Sequence, residues 1–139
     1  MGKIMRYNGV ILRKIELIEK RLNKLETLLP LKTETLSKDY FLKSGIERTL
    51  QVCIEAVIDI AERIISLNKQ APASSSYKAL ERLEELQIIK STEKYLKMIQ
   101  FRNFIVHRYE SIDNEELIFI CNHNLQDFKN FIDEIQSNE

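Results

Sequence analysis

Apolar residues recur along this chain in steps of three, four and seven, the spacing that lays side chains along one face of an α-helix. The first run carries Ile4, Ile11, Leu12, Ile15, Ile18, Leu22, Leu25 and Leu29, with Lys14, Glu16, Lys20 and Lys24 between them. It predicts a helix over about residues 4–28, closed by Pro30, whose ring cannot donate an amide hydrogen. The LKTETLSKD that follows reads as a polar connection, with Ser37 or Asp39 placed to cap the next helix. That helix runs from about Tyr40 to Leu67 and carries Phe41, Leu42, Ile46, Leu50, Cys53, Ile54, Val57, Ile58, Ala61, Ile64 and Ile65. From Val52 to Ile65 its apolar face is wide, which predicts a central position. Gly45 inside it costs about 1 kcal/mol of helix propensity.

NKQAPASSS (68–76) is a loop. A short helix over about 77–87 follows, with Tyr77, Leu80, Leu83 and Leu86 at three-residue spacing. Ser91 or Thr92 is placed to cap a fourth helix starting near Glu93, with Tyr95, Leu96, Met98, Ile99, Phe101, Ile105 and Val106. Residues 111–114 form a turn, and Asp113 or Asn114 caps a last helix over about 115–136, with Leu117, Ile120, Cys121, Leu125, Phe128, Phe131, Ile132 and Ile135. The expected fold is all-α, a single domain over residues 1–139 built as an up-and-down bundle of about five helices. The first two helices reach about 37 Å and about 42 Å at 1.5 Å per residue. Faces that long are naturally covered by a second copy of the chain.

Composition changes this picture little. Three Gly and two Pro leave too few turns for a sandwich or barrel. Twenty-one basic and 21 acidic residues cancel, so any nucleic-acid contact must use a local patch and not a global field. Cys53 and Cys121 fall within apolar helical patterns and read as buried free thiols, with no Cys/His spacing that suggests a metal site. No metal or cofactor is therefore expected. No stretch approaches the ~18–20 apolar residues of a membrane span, and charges interrupt the N-terminal region before a signal-peptide core forms. The expectation is a cytoplasmic protein with no membrane association.

The segment Phe101–Tyr109 stands apart, because it sets Arg102, Asn103, His107 and Tyr109 into an otherwise apolar run. Polar groups beside a core need partners or a task. On a helix Asn103 and His107 are four apart and share a face, as do Arg102 and Tyr109, seven apart. Arg102 and His107 diverge by about 140°. Converging them requires the helix to end or distort near His107, or two copies to face each other across a two-fold axis. Histidine moves protons near neutral pH, and the arginine fork matches phosphate oxygens. Together they suit metal-free cleavage of RNA, with Arg102 and His107 as catalytic residues and Asn103 supporting them. Lys90, Lys94, Lys97, Arg102 and Arg108 add a basic cast that suits a phosphate track or a solvated face. The structural alternative pairs Arg102 with a carboxylate from another helix and satisfies Asn103 and His107 in the core. His123, between Asn122 and Asn124, reads as a surface histidine.

At RNFIVHRY the chain resembles the HEPN superfamily, and within it the HepT-like toxins, whose signature is Arg, four residues, His, one residue, Tyr, commonly with Asn after the Arg. Arg102, Asn103, His107 and Tyr109 fill those positions. Ala56–Ala61, the stretch from Pro72 to Tyr77, and Ile112-Asp113 are similar to flanking segments of the family, so the likeness spans about residues 40–135. The resemblance implies a homodimeric HEPN-like bundle and a metal-independent endoribonuclease used as a toxin. It also implies a cognate minimal nucleotidyltransferase antitoxin, encoded alongside, that silences the toxin by transferring AMP to Tyr109. The alternative within the superfamily is a non-catalytic subunit that binds a nucleotide or substrate for a nucleotidyltransferase.

Overall fold

The computed structural model describes residues 9–108 and 112–138. Helix α1 (Gly9–Glu26) buries the stripe Ile11, Ile15, Ile18, Leu22 and Leu25, while Leu12, one position off that stripe, stays exposed. The part of the expected first helix before Gly9 lies outside the described residues. The connection read as polar contains a short helix, α2 (Thr33–Lys38), anchored by the single buried residue Leu36. One apolar side chain creates no periodicity, so this element left no trace in the pattern.

Helix α3 (Tyr40–Leu67) begins and ends at the expected residues. Asp39 caps it, its Oδ1 accepting from the Leu42 amide at 3.0 Å. Eleven of its residues, from Ile46 to Ile65, are buried, and α1, α2 and the later helices pack around it. Its C-terminus closes with Asn68 Nδ2 donating to the Ile64 carbonyl at 2.8 Å and with Lys69 in the left-handed region. Helix α4 (Ser76–Glu85) is capped by Ser75, whose Oγ accepts from the Lys78 amide, and ends with Gln87 left-handed.

The next helix starts later than the capping pattern indicated. Thr92–Tyr95 forms a 3-10 turn and α5 runs over Leu96–Arg108. Neither Ser91 nor Thr92 caps α5. Glu84 of α4 instead accepts from both the amide and the hydroxyl of Thr92, each at 2.7 Å, and those bonds hold its carboxyl below the usual carboxylate range. Tyr95 is fully buried, edge-on to Phe131, with its hydroxyl donating to Glu134.

The expected last helix is interrupted. Helix α6 (Asn114–Phe119) passes into a π-helical stretch, Ile120–Asn124, and on into α7 (Leu125–Ser137). At the π-helical stretch Asn122 clamps the distant connection after α1, Oδ1 accepting from the Leu31 amide at 3.2 Å and Nδ2 donating to the Leu31 carbonyl at 3.4 Å. Lys14–Asp59 and Arg102–Glu55 tie α1 and α5 to α3, and Lys129–Glu26 ties α7 to α1. Among the described residues all regular structure is helical, and no helix is long and apolar enough to cross a membrane.

Asn122→Ala removes the partners of both backbone groups of Leu31, an effect of about 1–3 kcal/mol. Urea unfolding should show an earlier midpoint with helical content kept, and an unchanged midpoint would mean the clamp carries no stability.

Candidate functional site on helix α5

Helix α5 turns gradually outward along its length. Met98, Ile99 and Phe101 are buried, whereas Arg102, Phe104, Ile105 and Val106 are only partly so, and Asn103 and His107 are exposed. The C-terminal half of α5 thus shows solvent a mixed apolar and polar face, with Phe104 and Ile105 only partly covered where they pack against the core.

Arg102 leans back against α3. Its Nε donates to Glu55 Oε1 at 2.9 Å, and its Nη1 lies 3.4 Å from Asn103 Oδ1, a long contact. The Arg102 side chain is 25% exposed and that of Glu55 43%, so the pair sits at the boundary of the core and is not sealed inside it. Glu55 accepts from the Nε–H edge of the guanidinium, and Nη1 faces Asn103 Oδ1.

The structure keeps α5 helical to Arg108. Arg102 and His107 therefore stay on different sides of one helix, as their spacing requires, while Asn103 and His107 follow each other one turn apart. Asn103 and His107 are exposed and not satisfied in the core, which removes that half of the structural alternative. The other half is present, since Arg102 does have a carboxylate partner on another helix. Tyr109 lies outside the described residues. Glu55 escaped sequence reasoning, although a lone carboxylate within the apolar stretch Val52–Ile58 was a signal that something had to pair with it.

Other candidates are less suited to chemistry. Lys94 lies 3.9 Å from Glu134 and Lys97 lies 3.6 Å from Glu116, so two of the cations expected in a phosphate track face carboxylates. His123 is exposed and its ring packs on Phe119. Cys53 and Cys121 are buried, and burial pushes both thiols up to about 12, which leaves them protonated at neutral pH and poor nucleophiles. Among the described residues no group of three or more His, Cys, Asp or Glu side chains is placed to hold a metal ion.

A bundle wrapped around one long helix, with an Arg-x4-His pair displayed from the end of a neighbouring helix, defines a HEPN-type protein. A family model described as ribonuclease HepT-like matches residues 18–135, and the chain belongs to that family. The mRNA nuclease HepT of Shewanella oneidensis is 27% identical over 132 residues, covering 94% of this chain and 98% of that protein. The tRNA nuclease HepT of Aphanizomenon flos-aquae is 30% identical over 137 residues, covering 92% of this chain and 88% of that one. Among solved structures, the tri-AMPylated Shewanella oneidensis HEPN toxin in complex with MNT antitoxin aligns with a TM-score of 0.83 at 27% identity, over 94% of this chain and 99% of that one. A toxin–antitoxin complex with AMP-PNP aligns with the same TM-score at 26% identity and the same coverage.

The Arg102–Glu55 contact has a direct readout. The Arg102 Nε–H should give a slowly exchanging side-chain NMR signal at neutral pH that Glu55→Ala abolishes, while overall stability falls by no more than about 1 kcal/mol, as for a partly exposed pair. Fast exchange in the unmodified protein would show that the contact does not persist in solution.

Proposed function

We propose that this chain is a metal-independent endoribonuclease and the toxin of a toxin–antitoxin pair, silenced by a nucleotidyltransferase antitoxin that transfers AMP to Tyr109. The observation that carries the reading is the exposure of His107 together with the partial exposure of Arg102, on a helix whose apolar residues are also left half-covered. The nuclease names of two full-length relatives support it, as does a related HEPN toxin that is AMPylated in complex with an MNT antitoxin.

The reaction suited to these groups is attack of a ribose 2′-hydroxyl on the adjacent phosphorus. A 2′-O–P bond forms, the P–O5′ bond breaks, and a cyclic phosphate results. His107 handles the proton of the attacking or the leaving oxygen. Arg102 meets the charge that builds on the non-bridging oxygens, held in place by Glu55 and flanked by Asn103. One straight helix diverges these groups, so the site is a composite of two copies in a homodimer. Its interface uses α5 and part of α3 and buries on the order of 1,200–2,000 Å². Half-exposed Ile105 and Val106 supply apolar surface for it.

His107→Ala and Arg102→Ala should each reduce RNA cleavage by about 10²–10⁴-fold. His123→Ala should not, cleavage should persist in EDTA, and sedimentation should give a dimer at micromolar concentration. A stable monomer that cleaves RNA would overturn the composite site. If RNA stays intact while a nucleotide binds, the non-catalytic binding-partner reading takes over.

Tyr109→Phe keeps the ring and removes the acceptor oxygen. The variant should remain an active nuclease, gain no AMP mass on co-expression with the cognate antitoxin, and escape neutralisation by that route. An AMP-sized mass increase that persists in Tyr109→Phe would place the modification elsewhere.

A further inference from the structure

The solvent side of α3 carries a stripe of residues that leads to Arg102. Phe41, Arg48 and Glu55 stand seven residues apart. Each therefore lies about 20° around the helix from the next and about 10.5 Å further along it. Glu55 accepts from Arg102 at 2.9 Å, and Glu47 accepts from the Ile112 amide at 3.3 Å. Arg48 thus sits on α3 between the two points that Arg102 and Ile112 reach. It is exposed, and among the described residues no carboxylate pairs with it. Its neighbours one turn to either side, Ser44, Gly45, Gln51 and Val52, are uncharged. Lys94 and Lys97 beside α5, by contrast, face carboxylates. At the far end of the stripe Phe41 is 84% exposed, with Tyr40 edge to face at 5.9 Å. Neither Arg48 nor Phe41 belongs to the buried core.

We propose that this stripe is a path for single-stranded RNA leading away from the scissile phosphate, on which Arg48 grips a second phosphate and Phe41 stacks a base. The inference rests on the reading of the chain as a ribonuclease and names the form of RNA it takes. A cation that tracks the backbone, joined to an aromatic ring on which a base can stack, is how single strands are held without regard to sequence. An arginine fork suits the phosphate oxygens, and an arginine with no carboxylate of its own keeps its full charge for them.

The surface along the path also selects this occupant. From Glu55 to Phe41 is about 21 Å along the axis, room for a few nucleotides. Between them the stripe shows Val52, Gln51, Gly45 and Ser44 around Arg48. These side chains repel no phosphate, and with Val52 alone among them apolar they supply no contiguous apolar patch for the core of a protein interface. The stripe has a direction as well. Beyond Glu55 it turns acidic, with Asp59, which Lys14 pairs, and then Glu62. A phosphate chain leaving Arg102 is therefore drawn toward Phe41 and not toward the other end of α3. A duplex would use only half of the path, because its bases are already stacked on one another and offer no face to Phe41.

The test measures binding of a labelled 2′-O-methyl oligouridylate to the full chain. That oligomer lacks the attacking hydroxyl, so affinity is read without cleavage. Arg48→Ala should weaken binding by about 10-fold and reduce the slope of log affinity against log salt by about 0.7, the release from one single-strand phosphate. Arg48→Lys should keep the slope. Phe41→Ala should weaken binding by about 5–100-fold and also keep the slope. A duplex of the same length should be bound more weakly, and Phe41→Ala should leave its affinity unchanged. Both side chains already lie in solvent, so the melting temperatures should hold. Unchanged single-strand affinity in either alanine variant would overturn the proposal, as would an unmodified chain that does not bind the oligomer or binds the duplex equally well. A changed sedimentation coefficient of the variants without RNA would assign the stripe to a second copy instead. Weaker antitoxin binding with RNA affinity intact would assign it to the antitoxin. A chain that binds through Arg48 and Phe41 yet leaves ordinary RNA uncut would overturn the nuclease reading alone.

Discussion

Helix α3 has to be covered over a wide apolar arc, and the rest of the molecule follows from that demand. From Ile46 to Ile65 it presents buried side chains over a wide arc, so no single neighbour suffices. Helices α1, α4, α5 and α7 each bury a stripe against it, and the short α2 closes one end with Leu36. At about 25 cal/mol per Å² this burial is the main driving term of the fold. The polar contacts that accompany it decide which end of each helix meets which residue of α3. Lys14–Asp59 and Arg102–Glu55 are such markers, each bringing a cation to a carboxylate at the edge of the apolar belt.

The same demand sets the geometry of the candidate site. The N-terminal half of α5 packs on α3 and α4, and Tyr95 in the 3-10 turn ahead of it is pinned between Phe131 and Glu134. Its orientation is therefore fixed before the motif begins. Arg102 falls toward α3 and meets Glu55, while Asn103 and His107 fall outward. Neither residue has freedom to turn toward the other without unwinding a helix whose first turns are locked in the core. In the proposed homodimer a second copy would resolve this without distortion, since a two-fold axis can bring an arginine and a histidine from different helices to one phosphate.

Much of this was legible in the chain. The boundaries of α3 could be read because an N-cap aspartate, a broad apolar face and a polar loop all agree there. The placement of Arg102 and His107 on different sides of α5 followed from their spacing alone. What could not be read depended on residues far apart in sequence. Helix α2 is held by one leucine, the 3-10 start of α5 by a carboxylate from α4, and the π-helical stretch accompanies the clamp of Asn122 on Leu31, 91 residues away. Glu55 belongs to the same class. Its type was visible, but its partner lies 47 residues downstream, and only the packing of α5 on α3 brings them together.

Glu55 also bears on how such a site would be controlled. A carboxylate on Nε lowers the positive potential that Arg102 offers to a phosphate, yet it removes the rotamer freedom that a long side chain would otherwise lose on binding. The exchange favours geometry over raw attraction. It leaves a surface whose nearby cations Lys94 and Lys97 also face carboxylates, on a chain with no net charge. Non-specific RNA affinity on such a surface is weak, because little charge is free to release counterions. In the proposed reading, binding then depends on the few donors of the composite site, and one added phosphate near Arg102 removes a large fraction of what is available. A toxin built on a broad basic track would need many such modifications to be silenced. One whose cations Lys94, Lys97 and Arg102 already face carboxylates needs few.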